Sequence, residues 1–157
     1  MPGKKRIAFH TLGCKLNFSE TSQISRAFPL SEFEIVAFGE QADIYVVNTC
    51  CVTEKAEKKS RSAIRQARKR NPDSLIAAVG CYAQLNPEAI NSIAGNSVVL
   101  GTSGKFSLPS VIQSGHTRSV IDEKNNSLSF IRATDVRSAI SGSECFLIFK
   151  TIDSIFF

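Results

Sequence analysis

Two hydrophobic periods alternate along this chain. Ile7-Ala8-Phe9, Ile44-Tyr45-Val46-Val47 and Leu75-Ile76-Ala77-Ala78-Val79 are apolar at successive positions over the length of a strand. That is the pattern of a strand covered on both faces in a parallel sheet. Between these runs, apolar or small residues recur at intervals of three and four: Phe18, Thr21, Ile24, Ala27 and Phe28 in one segment, Ala56, Ser60, Ala63, Ile64 and Ala67 in another. This is the period of a helix with one buried stripe. The pattern predicts strands over 6–11, 33–38, 43–48, 74–79 and 97–100, the second of them near a sheet edge. It predicts helices over 17–28, over 53–70, from about Pro87, and over 106–112.

Local signals sharpen these elements. Asn17 or Ser19 is placed to cap the first helix, Glu20 in its first turn suits the dipole, and Pro29 stops it. Thr53, followed by Ala56-Glu57, resembles a cap and acidic first turn for the second helix, which Asn71-Pro72 ends. The segments joining the strands are long enough for crossover helices, so the strands are expected to run parallel. The order β-α-β-β-α-β-α-β-α predicts an α/β fold, a three-layer sandwich about a parallel sheet, flavodoxin-like in general type.

After Gly115 the character changes. Residues 116–132 are polar with one short strand signal, Ser119-Val120-Ile121-Asp122, and suit a linker. Residues 133–157 begin unpatterned and close on Cys145-Phe146-Leu147-Ile148-Phe149 and Ile155-Phe156-Phe157. An aromatic and β-branched ending with no core left to join is expected to be a truncated or non-native, irregular tail, prone to pairing with other chains.

The whole chain has 157 residues, 43% hydrophobic and 21% charged, ordinary values for a globular protein with one core. Nothing approaches the roughly 18 consecutive apolar residues of a membrane span, and the basic start, Lys4-Lys5-Arg6, lacks a signal-peptide core. A cytoplasmic location without membrane contact is the expectation. The formal net charge of +5 is concentrated: between Glu54 and Arg70 eight lysines and arginines face two glutamates. Lys58, Arg61, Arg65, Arg68 and Lys69 on that helix are candidates to meet RNA phosphates, against the plainer reading of a solvated charged face.

Five cysteines, an odd number in a chain large enough to fold without disulfide staples, favour metal or redox chemistry. Cys14, Cys50 and Cys81 each stand just after a predicted strand, so parallel strands would bring them to one carboxyl edge, where open α/β sheets place ligands. Thiolates are the ligands of iron–sulfur clusters, and the N-termini of the following helices favour negative charge. The rival readings are buried cysteines acting as small hydrophobes, a zinc site, and a thiol–disulfide enzyme. The last two want CxxC spacing, which does not occur. His10, in mid-strand, suits a packed core histidine, and Cys51, beside Cys50, is not assigned as a ligand.

Three motifs in order then carry a resemblance: Thr11-Leu12-Gly13-Cys14-Lys15-Leu16-Asn17 with Glu20-Thr21, Asn48-Thr49-Cys50-Cys51-Val52-Thr53 with Lys59-Ser60-Arg61, and Gly80-Cys81-Tyr82-Ala83-Gln84. Over residues 4–115 they resemble the N-terminal domain of the radical SAM methylthiotransferases. The Gly-Cys-Lys-x-Asn and Gly-Cys-Tyr-Ala-Gln forms are similar to the branch acting on threonylcarbamoyladenosine in tRNA. The resemblance implies that Cys14, Cys50 and Cys81 hold an auxiliary [4Fe-4S] cluster used in sulfur insertion, with Asn17 and Asn48 as supporting groups beside it. It implies tRNA, at anticodon-loop position 37, as partner of the full-length enzyme.

In the family, S-adenosylmethionine serves as methyl donor and as radical source, the latter through a second [4Fe-4S] cluster on a CxxxCxxC motif. This sequence has no such motif, and only Cys145 follows Cys81. The expectation is therefore a fragment of a tRNA methylthiotransferase that is inactive alone. The alternative is a stand-alone iron–sulfur binding or electron-transfer module.

Overall fold

Successive valines, isoleucines and alanines leave a strand no polar face, and the runs that carry them lie inside the sheet. In the computed structural model, which describes residues 3–115, the strands are β1 (Lys5–Thr11), β2 (Phe33–Val36), β3 (Ile44–Thr49), β4 (Leu75–Gly80) and β5 (Ser97–Leu100). Their order is β2-β1-β3-β4-β5, and every neighbouring pair is parallel. Every residue of β3 and β4 is buried, whereas β2 is largely open, as expected of an edge.

The helices are α1 (Lys15–Arg26), α2 (Glu54–Arg70), α3 (Cys81–Leu85), α4 (Pro87–Ala94) and α5 (Leu108–Gln113), with one 3₁₀ turn at Lys105–Ser107. One face of the sheet is covered by Ile24 of α1, Phe28 just beyond it, and Leu108 and Ile112 of α5, which close on Ile7, Val46, Ala77, Val79 and Val98. On the other face α2 packs on β3 and α4, burying Ala63, Ile64, Ala67 and Ile90. This is the α/β three-layer arrangement, and the order 2-1-3-4-5 is the flavodoxin-like one. The chain leaves β1 in one direction towards β2 and returns on the other side as β3, so β1 and β3 flank the reversal point at which such sheets open a crevice.

The link from β2 to β3 has no helix. Segment 37–43 lies against the strands instead: Phe38 stacks on His10 at 4.5 Å between ring centres and meets Tyr45 edge-on at 5.5 Å. Tyr45 donates its hydroxyl to Glu40 O at 2.6 Å and accepts the Ala42 N–H at 3.0 Å. His10 is accordingly a half-buried packing residue. Burial, with the Arg70 guanidinium second, holds its pKa below the ordinary value of 6.5.

Three boundaries differ from the sequence expectation. Helix α1 starts at Lys15, with extended Cys14 at its N-cap and no acidic residue in its first turn. Neither Asn17 nor Ser19 caps it. The reason is Gly13, whose φ of +100° turns the chain into the helix directly after the strand. Gly80, at φ +98°, does the same for α3, a short helix that begins at Cys81 ahead of the expected one, which does start at Pro87 as α4. The expected final helix opens with a 3₁₀ turn before α5. Helix α2 matches expectation: the Thr53 hydroxyl accepts the Ala56 N–H at 3.1 Å. Among the described residues no helix is long and apolar enough to cross a membrane. The Ser119–Asp122 strand signal, the linker over 116–132 and the tail over 133–157 lie outside the described residues.

Candidate functional site

The end of β3 is the pivot of the site, because Asn48, Thr49 and Cys50 each tie a different element to it. Asn48 points to the α1 face and donates from Nδ2 to Asn17 O and to Thr21 Oγ1, both at 3.1 Å. Thr49 points to the other face; its hydroxyl donates to Val79 O at 2.8 Å and accepts the Ala83 N–H at 3.0 Å. It thereby caps α3, which has no cap of its own. The Cys50 N–H donates to Ser60 Oγ of α2 at 3.3 Å. Successive side chains of a strand alternate between faces, and here the alternation lets three residues hold three helices.

The cysteines follow this frame. Cys14 caps α1 at the end of β1, Cys50 follows β3 and Cys81 opens α3 after β4. The pairing of Thr49 with Gly80 puts Cys50 and Cys81 level with each other. A Cβ on Gly13 would come within 2.8 Å of Cys50 Sγ, so the turn before Cys14 lies directly against the Cys50 side chain. A Cβ on Gly80 would meet Asn48 Oδ1 at 2.7 Å and Thr49 O at 2.8 Å. Both positions require glycine for φ and for space. Cys50 and Cys51 are buried, Cys14 and Cys81 half-buried, and none of these four is joined in a disulfide.

The two asparagines have distinct places. Asn17 donates from Nδ2 to Leu12 O at 2.7 Å and accepts the Cys14 thiol at 3.9 Å, holding the turn around that cysteine. Asn48 is buried, and its Oδ1, against Gly80, has no hydrogen-bond partner among the described residues.

Cys51 is part of the group. It hydrogen-bonds to Cys81, and this bond is the largest cause of a Cys81 pKa lowered from 9.0 to about 7. Burial opposes it, the Lys105 ammonium assists it, and the Glu20 carboxylate opposes it more weakly than Lys105 assists. Among the described residues no three His, Cys, Asp or Glu side chains close round a single metal ion.

Sequence reasoning missed Lys105. Its side chain is 8% exposed, and its ammonium lies 2.6 Å from Glu20 Oε2. Glu20 is therefore not a first-turn dipole partner but half of a buried ion pair in the second turn of α1. A lysine before Phe106 in an unremarkable turn carries no signal of burial in a sequence.

The basic helix divides. Lys58 is exposed and paired with Glu54 at 2.8 Å, and Arg65 and Lys69 are exposed. Arg61 instead turns to the site, donating to the Tyr82 hydroxyl at 3.1 Å. Arg68 departs furthest from a phosphate-facing cation. Its guanidinium donates to Ser74 O at 3.0 Å and Asn96 O at 3.1 Å, and also to Pro72 O and Ala94 O. It fastens α2 to the ends of neighbouring elements.

Comparison with known proteins now adds identity. Residues 6–101 match the family described as "Uncharacterized protein family UPF0004". Over 96 residues the chain is 49% identical to the threonylcarbamoyladenosine tRNA methylthiotransferase MtaB of Bacillus subtilis, covering 61% of this chain and 21% of that protein. It is 39% identical over 108 residues to the protein of the same name from Aquifex aeolicus, covering 69% and 26%. A tRNA-2-methylthio-N(6)-dimethylallyladenosine synthase of Corynebacterium urealyticum is 31% identical over 116 residues, 71% of this chain and 22% of that protein. The chain thus spans about a fifth to a quarter of the length of these relatives. With more than half of its residues matched, this chain belongs to the UPF0004 family, the N-terminal domain it shares with the tRNA methylthiotransferases.

Proposed function

We propose that this domain is the sulfur-handling, auxiliary-cluster part of a tRNA methylthiotransferase acting on threonylcarbamoyladenosine at position 37, with Cys14, Cys50 and Cys81 as ligands of one [4Fe-4S] cluster. The observation that carries it is the placement of three thiols at the carboxyl ends of three adjacent parallel strands, in a family shared with enzymes of that name. Neighbouring strands lie about 4.8 Å apart, so thiols on three strand ends suit a group several ångströms across better than a single ion. The donor set is soft sulfur, the type that holds iron–sulfur clusters. When bound, such a cluster would leave one iron without a protein ligand, able to present a further sulfur atom.

The chain's own residues have defined tasks in this reading. Asn48, Thr49 and Ser60 hold the strand end and helix starts that orient the thiols. Asn17 fixes the turn at Cys14. Lys58, Arg65 and Lys69 on the open side of α2 offer phosphate contacts, while Arg61 and Arg68 are occupied within the domain. S-adenosylmethionine and the second cluster belong to the remaining three quarters or so of the relatives' length.

Anaerobic reconstitution with iron and sulfide tests the proposal. The parent chain should gain the broad visible absorption of an iron–sulfur cluster; Cys14→Ala, Cys50→Ala and Cys81→Ala should each lose it, and Cys51→Ala and Cys145→Ala should keep it. Full iron retention in all three single variants overturns the assignment. In a full-length relative, charge reversal at the positions of Lys58, Arg65 and Lys69 should weaken tRNA binding and flatten its salt dependence.

A further inference from the structure

We infer that Arg61 is a positioning residue of the cysteine site, holding the Tyr82 hydroxyl and through it the chain at Cys81. The purpose of this link rests on the proposed cluster; its geometry does not.

The link answers a weakness in the chain. Cys81 follows Gly80, at φ +98°, and opens α3, which has five residues and no side-chain cap from Gly80. A helix of that length does not hold itself in water, so the place of Cys81 depends on other elements. Two of them grip the residues that follow it. The Ala83 N–H donates to the Thr49 hydroxyl at 3.0 Å. Tyr82 is 1% exposed, and its hydroxyl accepts from Arg61 Nη1 at 3.1 Å. The guanidinium carbon also lies 5.8 Å from the centre of the Tyr82 ring, within reach of attraction to its face.

The neighbour of Arg61 on α2 holds the other strand end. The Ser60 hydroxyl accepts the Cys50 N–H and donates to Cys50 O, both at 3.3 Å. Consecutive residues of one helix thus fix the backbone at Cys50 and the residue next to Cys81, 21 positions beyond Arg61. A helix is stiff over one residue, so the spacing of the two cysteine segments is set by α2.

A plain ring at position 82 would cover the same buried surface. What the hydroxyl adds is a directional bond to another element, and a buried phenol without a partner is disfavoured. The guanidinium suits the task because its planar group presents donors in fixed directions. Glu57, one turn back on α2, lies 3.7 Å from the same nitrogen and draws the guanidinium along the helix. Groups that orient a metal ligand in this way tune the bound centre without touching it.

Two measurements on the full chain test this. Tyr82→Phe removes only the hydroxyl, and Arg61→Met keeps an unbranched stem without a donor. In cluster-free protein, amide hydrogen exchange over residues 80–86, read by mass spectrometry, should be several-fold faster in each variant, with β1 unchanged. In reconstituted protein, each should alter the electron paramagnetic resonance of the reduced cluster and speed iron loss to a chelator several-fold. The double variant should go no further than either single one, because the two groups act as a unit. Arg61→Lys, which keeps a donor, should lie between the parent and Arg61→Met. Unchanged exchange in both single variants overturns the tether, with or without iron. An unchanged resonance in both overturns the positioning role, whatever the exchange. A parent chain that takes up no iron, with exchange still faster in both variants, overturns the cluster assignment and leaves Arg61 as the tether of the Cys81 segment.

Discussion

Cys51 hydrogen-bonds to Cys81 across the ends of β3 and β4, and this contact more than any other holds the Cys81 pKa near 7, from an ordinary 9.0. The nucleophile is the thiolate, so in cluster-free protein at pH 7 Cys81 should react with iodoacetamide faster than an ordinary thiol. Cys51→Ala should slow it several-fold by raising its pKa. Equal rates in parent and variant would show that the bond does not act on Cys81.

Gly80 combines a φ of +98° with two close neighbours, Asn48 Oδ1 at 2.7 Å and Thr49 O at 2.8 Å from an added Cβ. Gly80→Ala should therefore cost about 3 kcal/mol, from strain and from displacement of the β3 end. Gly115, at φ +70° with open space around it, should cost about 1 kcal/mol on the same substitution. Urea denaturation of the two variants measures the difference, and similar midpoints would refute it.

Arg68 and Arg65 lie three residues apart on α2 but should behave differently. Removing the Arg68 guanidinium takes a donor from the carbonyls of Pro72, Ser74 and Ala94, whereas Asn96 O keeps the Ile76 N–H, so Arg68→Ala should destabilise by about 3 kcal/mol. Exposed Arg65→Ala should fall within about 0.5 kcal/mol of the parent. Thermal denaturation checks both; a stable Arg68→Ala would return that residue to the open basic face.

His10 predicts a pH dependence. Its folded pKa lies below 6.5 because burial disfavours the charged ring, so the unfolded chain binds the proton more readily. The contribution to stability is present above about pH 6.5 and is lost as pH falls through the folded pKa. Between pH 7.5 and 5.5 the urea midpoint of the parent should fall more than that of His10→Phe, which keeps a ring against Phe38. Parallel pH profiles would count against a titrating His10.

Much of this was legible in the sequence for a simple reason. Runs such as Ile44–Val47 and Leu75–Val79 have no polar face and can lie only inside a doubly covered sheet, which fixes the fold class. Once the strands are parallel, Cys14, Cys50 and Cys81 must share an edge. The similar motifs around them pointed to the family before any coordinates did. Helix starts were less legible, because a glycine at positive φ, as at Gly13 and Gly80, moves the start to the strand end and no side-chain cap announces it.

What the tertiary structure alone decided is which side chains meet. Lys105 and Glu20 are 85 residues apart in sequence, and no local pattern marks either as buried. Cys51, unassigned from the sequence, reaches Cys81 at the start of α3, just beyond the next strand. Arg68 looked like any other cation of α2 until four carbonyls converged on it. Periodicity reports which face of an element is buried. It carries nothing about which distant charge or thiol lies against that face, because that depends on the order in which the strands stack.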